Sequence, residues 1–229
     1  MRNRATDSNG DEMIKRMTLL ARKEGLSTSD FRAYWSGCHA ALAMCMGGIT
    51  SYTQNRVEKT LWQQSGGDGC FQIDGVVELC FENAEVMATA QRSATGTRYI
   101  PEDEPNFLRG WSLCVVEHED HPAEHTAAKV LVAAAAKDPG AREAFREALN
   151  AANASQPVPA TLSFNWTQHS HKRDRLWAEP IAPTVIAALW FENVAQAHEA
   201  FDQGGEFARV LSERSSRAGA YLINALVIK

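Results

Sequence analysis

Apolar positions along this chain follow two rhythms. Alternating or unbroken apolar runs of strand length fall at about 13–22, 48–57, 73–82 and 110–118. Between them, apolar residues recur every three to four positions at about 28–46 and 83–95, the spacing of a helix with one buried face. In the first of these, Phe31, Trp35, Cys38, Leu42 and Cys45 share a face, Thr28, Ser29 and Asp30 offer an N-cap, and Gly47-Gly48 stops the helix. The second half shows the same order, with strands at about 128–136, 159–168, 184–192 and 219–228 and helices near 138–152 and 194–213. Its first strand, Val130, Leu131 and Val132 followed by four alanines, predicts close packing.

The halves also align residue by residue. KEGLSTSDFRAYW from Lys23 meets KDPGAREAFREAL from Lys137, 114 positions on, which sets Phe31 on Phe145. That offset puts Tyr52 on Trp166 and Thr53-Gln54 on Thr167-Gln168, whereas Phe81-Glu82-Asn83 meets Phe191-Glu192-Asn193 after 110. Four extra residues are therefore expected between these blocks in the first copy, in a loop. A βαββαβ order is ferredoxin-like, an antiparallel sheet with both helices on one face. Its bare face must be covered, and the nearest cover is the sister copy. The expectation is an α+β protein of two ferredoxin-like modules, 13–118 and 128–229, whose sheets pack into an intrachain pseudo-dimeric barrel. Residues 1–12 are read as a disordered tail and 119–127 as an acidic, histidine-bearing linker.

Composition narrows the function. A formal charge of −5 supplies no field for nucleic acid. No apolar run reaches the roughly 18 residues of a membrane span, and MRNRATDSNGDE is no signal peptide, so a cytoplasmic protein without membrane partners is expected. Cys38, Cys45, Cys70, Cys80 and Cys114 contain no CxxC pair and read as reduced, packed thiols. Phosphate loops, G-x-S-x-G elbows and H-E-x-x-H pairs do not occur.

Several runs of the first copy, FRAYWSGCHAAL at 31–42, ITSYTQN at 49–55, FQIDGVVELCFEN at 71–83 and EDEPNFL at 102–108, resemble the EthD family of the dimeric α+β barrel superfamily. The resemblance spans about residues 13–118, and the second copy keeps the pattern without the family's polar residues. It implies small proteins that work without a cofactor, among them decarboxylases and cyclases of aromatic polyketides and lactone isomerases.

His39 and Glu78 are the candidate reacting pair. His39 lies four residues after Trp35, on the same helical flank, where one ring nitrogen can face a cavity while a neighbour holds the other. An ordinary core histidine is the bland alternative, and the family motif favours function. Glu78, in VVELCF, is expected on an inner strand with a pKa raised by desolvation, as acid or base, or else as structural partner to Arg16 or Arg22. Asn153 and Ala188 stand at these positions in the second copy, which points to one site per chain. Tyr52 and Gln54 share a strand face, where Tyr52 would polarise an oxygen and Gln54 orient a carbonyl; Asn55, also a candidate contact, faces the other way. Trp35, Trp62, Phe71 and Trp111 are expected as an aromatic wall or as plain core.

The glycine-bearing segment EKTLWQQSGGDGCF reads as a lid. Its counterpart HSHKRDRLWAEP carries His169 and His171 in a basic loop suited to an anionic substrate or to solvent; with no further ligand in sight, no metal site is assigned. The leading expectation is a cofactor-independent lyase or isomerase acting on a small aromatic, phenolic or lactone-type molecule. A cofactor-free oxygenase and a non-catalytic binding protein are the alternatives, and a homodimer is left open.

Overall fold

The structure is a computed structural model and describes residues 13–64, 69–119 and 128–229. The expected tail, nearly all of the expected linker and the centre of the glycine-bearing segment lie outside these residues.

Eight strands close into one antiparallel barrel: β1 (Ile14–Arg22), β2 (Ile49–Gln63), β3 (Gly75–Phe81), β4 (Leu108–His118), β5 (Ala128–Ala136), β6 (Thr161–Lys172), β7 (Val185–Phe191) and β8 (Ser215–Val227). Around the barrel the order is β1-β3-β2-β8-β5-β7-β6-β4. Each half contributes a four-stranded sheet, and the second strand of each half pairs with the fourth strand of the other, β2 with β8 and β4 with β6. The α+β architecture of two ferredoxin-like halves in an intrachain barrel is thus as expected.

Helices cover the outside. In the first half α1 runs through Thr28–Tyr34, a π-helical stretch Trp35–His39, and Ala40–Met44; α2 is Ala84–Arg92; and a second π-helical turn, Thr95–Tyr99, leads into α3, Ile100–Asp103. In the second half α4 is Arg142–Ala154, while α5 (Val194–Ala200) and α6 (Glu206–Arg214) divide at Gly204-Gly205 what the periodicity predicts as one helix. Ser27 caps α1 by accepting from the Asp30 amide, one residue before the expected caps. Gly47 and Gly48, at φ of 74° and 70°, end α1 in the left-handed conformation that glycine adopts at least cost. The Phe-Glu-Asn motif has the same role twice, since Asn83 and Asn193 cap α2 and α5 by accepting from Val86 and Gln196.

Strand pairing relocates the length difference between the halves. Asn55 pairs with Val76 and donates to its carbonyl; Asn165 does the same with Ile186. Asn55 therefore corresponds to Asn165, and the offset of 110 already applies in the second strand. The four extra residues are a further turn at the end of α1 relative to α4, not a loop. Both sequence segments read as loops are partly strand. β2 continues to Gln63 against β8, and β6 to Lys172 against β4, because each finds its partner in the opposite half.

Alternation divides the core into three layers. Met17, Leu19, Val76, Cys114, Leu131, Ile186, Tyr221 and Ile223 fill the barrel. Phe31, Trp35, Tyr52, Leu79, Phe81 and Phe107 pack between the first sheet and its helices, and Phe145, Phe164, Trp166, Phe191 and Phe207 form the corresponding layer of the second half. The aromatic wall is accordingly divided: Trp35 and Trp111 are in the first helix layer, Trp62 in the second, and Phe71 inside the barrel. Strand alternation and the barrel's closure send their side chains to different sides.

Trp35, wholly buried, rests directly on Gly75 at the start of β3. A Cβ there would lie 2.5 Å from Trp35 Cζ3 and 2.7 Å from Cη2. Gly75→Ala is expected to destabilise the protein by about 1–3 kcal/mol through overpacking. A lowered urea midpoint would show this; an unchanged midpoint would mean that α1 is free to shift away from the sheet.

Candidate functional site

His39 and Glu78 do not meet. β3 sends Val77, Leu79 and Phe81 toward the helices, so Glu78, with Val76, points into the barrel, whereas His39 lies in the helix layer on the other side of the sheet. The catalytic pairing expected from the sequence is therefore corrected to two separate places.

Glu78 sits at one end of the barrel interior between two lysines. Its Oε2 lies 2.7 Å from Lys15 Nζ and its Oε1 2.7 Å from Lys129 Nζ; Asn55 donates to Oε1 at 2.8 Å and accepts from Lys129 at 2.8 Å. Lys15 and Lys129 occupy matching positions in β1 and β5, so one carboxylate joins both halves. Its partners are these lysines, not Arg16 or Arg22. Burial pushes the Glu78 carboxyl up, but the two ammonium charges and their hydrogen bonds together prevail and hold it far below the ordinary carboxylate range, opposite to the expected direction. A carboxylate held so firmly ionised is a poor proton donor at neutral pH. The cluster borders a barrel-end cavity of about 770 Å³ shared with Ser51, Thr53 and Trp190.

The helix layer holds a second polar constellation. His39 closes the π-helical stretch of α1, where the backbone N–H of Ala40 reaches Trp35 O, and Gln54 of β2 donates to that same carbonyl at 2.9 Å. An inserted side chain of this kind accompanies helix widening, and π-helical turns recur at functional sites. The His39 ring packs 4.7 Å from that of fully buried Phe107. Nδ1 lies 2.8 Å from Asp103 Oδ2, and Tyr34 donates to Asp103 Oδ1 at 2.5 Å. These bonds, His39 first, hold the Asp103 carboxyl below its ordinary value despite partial burial. Nε2 of His39 has no hydrogen-bond partner among the described residues.

Asp103 ends α3, and the next residue, Glu104, turns to another partner. Glu104 is 3% exposed and binds Arg173, with Nε 3.0 Å from Oε2 and Nη2 donating to Oε1 at 3.3 Å. Burial raises the Glu104 carboxyl, opposed by Arg173, His39 and Arg16. Arg173 follows β6 of the second half and lies over the Trp111 ring, 4.7 Å from its centroid. Beside this pair a cleft of about 260 Å³ opens between helices and sheet, walled by Arg16, Met46, Ile100, Trp111, Leu113 and Arg173 among others. Its walls combine apolar residues with a few charged ones, the usual make-up of a small-molecule site.

Of the substrate-contact candidates, only Trp111 reaches this cleft. Tyr52 is 1% exposed and its hydroxyl accepts from Gln54 at 2.9 Å, so it supports the layer beneath Arg16 and does not face a ligand. Gln54 is fully buried and Trp35 is core. Asn55 faces away from Tyr52 and Gln54, as alternation predicts, and joins Glu78. Trp62 and Phe71 are remote from the cleft, in the other two layers. Sequence reasoning missed Asp103, Glu104 and Arg173 as site residues. The first two stand in the EDEPNFL run that resembled a known family, and Arg173 in the basic HSHKRDRL segment.

Comparing the halves isolates the polar residues of this layer. By strand register Arg16 corresponds to Val130 and Gln54 to Phe164; along the helices His39 corresponds to Asn153. Val130 and Phe164 are apolar where Arg16 and Gln54 are polar, and Asn153 alone of the three keeps a polar side chain. Among the described residues no three His, Cys, Asp or Glu side chains come together as a metal site, and no helix is long and apolar enough to cross a membrane.

Acid stability should report the barrel-end cluster. A carboxyl with a depressed folded pKa adds stability that is fully present above its unfolded value, about 4.5, and is lost as pH falls toward the folded value. Wild type is thus expected to weaken below about pH 4.5. Glu78→Gln, which leaves two buried lysines unneutralised, should lose about 3–5 kcal/mol at pH 7 and lack that acid-dependent contribution. Denaturant titrations of both proteins at pH 3 to 7 measure it, and parallel pH curves would exclude the assignment.

Residues 23–110 match the model of the EthD domain. Comparison with curated protein sequences finds no match. Among solved structures, an anthrone oxidase-like protein aligns at TM-score 0.56 and 10% identity, over 95% of this chain and 94% of its own. A protein of Lactobacillus acidophilus NCFM provisionally named a monooxygenase aligns at TM-score 0.50 and 11% identity over 94% and 95%. A provisionally named chlorite dismutase aligns at 0.51 and 10% over 93% and 95%. At such identities the likeness speaks for the fold alone. The match to the EthD domain thus falls on the first half of an eight-stranded α+β barrel that is completed within one polypeptide.

Proposed function

We propose that the chain is a small-molecule enzyme whose reaction is a proton-transfer rearrangement or elimination, lyase or isomerase chemistry, on a compact aromatic, phenolic or lactone-type substrate bound beside α1 and α3. The observation that carries this reading is the Asp103–His39 bond. A carboxylate on Nδ1 fixes the ring's orientation and tautomer and stabilises the imidazolium that forms when Nε2 takes a proton. Tyr34 holds the carboxylate in turn, and Phe107 fixes the ring plane. The enzymatic names of the structural neighbours agree with an enzyme in general, without choosing a reaction.

Removal of a phenolic proton by His39 would also begin oxidation of an electron-rich phenol by dioxygen. Oxygen uptake during turnover distinguishes that reaction from the proposed one.

A panel of phenols, aromatic acids and lactones, incubated with protein under argon and followed by mass spectrometry, should yield product without oxygen. His39→Gln is expected to lower turnover roughly a hundredfold or more, the scale of a general acid–base contribution. Asp103→Asn should lower it about tenfold or more by releasing the ring. A folded His39→Gln protein with full turnover would refute the proposal.

A further inference from the structure

We infer that the cleft takes a monoanionic aromatic carboxylate and that Arg16 is the residue that selects it; the inference rests on the proposed function and assigns the substrate's charge in the cleft beside Glu104, the carboxylate that Arg16 and His39 both neighbour. Arg16 arises from β1 on the helix side of the first sheet. It is half-buried, and it forms part of the cleft wall. Its guanidinium lies over the Phe81 ring, 5.5 Å from the centroid, and its Nε is buried with no hydrogen-bond partner. No side-chain hydrogen bond or ion pair of Arg16 is formed among the described residues.

The opposite charge within reach is already engaged. Glu104 is the carboxylate that Arg16 senses, and both its oxygens face Arg173. Two guanidinium groups therefore wall the cleft, with Glu104 as their neighbouring carboxylate among the described residues, and Lys172 and His171 line the same space. Half-burying a guanidinium without a hydrogen-bonded counter-ion is costly, and packing does not require one: the matching residue of the second half is Val130, fully buried in an apolar layer. An incoming carboxylate would supply the missing charge and accept two parallel N–H bonds from the guanidinium fork.

Shape restricts what carries that charge. A space of about 260 Å³ is slightly below the roughly 300–1,000 Å³ of typical ligand sites. Met46, Ile100, Trp111 and Leu113 give it apolar walls that suit one aromatic ring. A free inorganic anion would leave those walls without contact.

Isothermal titration calorimetry on the full chain with benzoate, its neutral isostere benzamide, and inorganic phosphate tests the inference. Benzoate is expected to bind wild type about tenfold or more tightly than benzamide, and more tightly than phosphate. Arg16→Met should remove the preference for benzoate while leaving benzamide affinity in place. If Arg16→Met fails to fold, Arg16→Lys is read instead, and benzoate affinity should drop at least about threefold because the fork is lost although the charge remains. Equal binding of benzoate and benzamide, phosphate binding as tight as benzoate, absence of benzoate binding, or a preference that survives either folded variant would overturn it. His39→Gln should bind benzoate normally. Failure of the Arg16 assignment therefore leaves the His39 reaction standing, and failure of the His39 reaction leaves the anion site standing.

Discussion

Closing the sheet is the constraint on which this molecule depends. A four-stranded ferredoxin-like sheet has one face covered by its own helices, one bare face and two open edges, and each is a liability in water. Pairing β2 with β8 and β4 with β6 removes all of them together, because the strand that closes each edge belongs to the other half. The long C-terminal extensions of β2 and β6 have no partner within their own half. In the closed barrel β8 and β4 supply that partner.

That exchange also builds the site. β6 is the edge strand of the second half, and pairing it with β4 carries Arg173 over the helix layer of the first half, onto Glu104 and Trp111. The same closure brings Lys129 across to Glu78 inside the barrel. The second half thus supplies a cation to each of two carboxylates of the first half, Arg173 to Glu104 and Lys129 to Glu78. The two ion clusters sit on opposite sides of one sheet and have different characters. The interior one is compact, fully hydrogen-bonded and firmly ionised, as a structural tie should be. The outer one leaves the Arg16 side chain and Nε2 of His39 without hydrogen-bond partners among the described residues.

Much of this was legible in the sequence where local pattern determines the outcome. The order of strands and helices, the duplication, the glycine stop after α1 and the opposite facing of Asn55 and Gln54 all follow from periodicity and turn chemistry. His39 was recognisable from its helix motif. What could not be read were relations made by closure: the partner strands of 58–63 and 169–172, Lys129 beside Glu78, and Arg173 above Trp111. Glu78 illustrates the difference. Its apolar neighbours in VVELCF correctly announce burial, but the sign of its pKa shift depends on two lysines, one of them 51 residues further along the chain.

The asymmetry between the halves has a physical explanation. In the first half α1 runs one turn further and widens at Trp35–His39, which keeps His39 beside Asp103 and leaves a cleft bordered by Met46. In the second half the helix ends near Asn153, whose side chain donates to the Ala160 carbonyl and accepts from the Ala160 amide, tying the shorter helix to the start of β6. The position proposed to move a proton in one half thus secures a chain connection in the other. Val130 and Phe164, in place of Arg16 and Gln54, complete an apolar layer there. The second half has become scaffold, and the barrel needs it as such: without β6 the first half would have neither a closed edge nor Arg173.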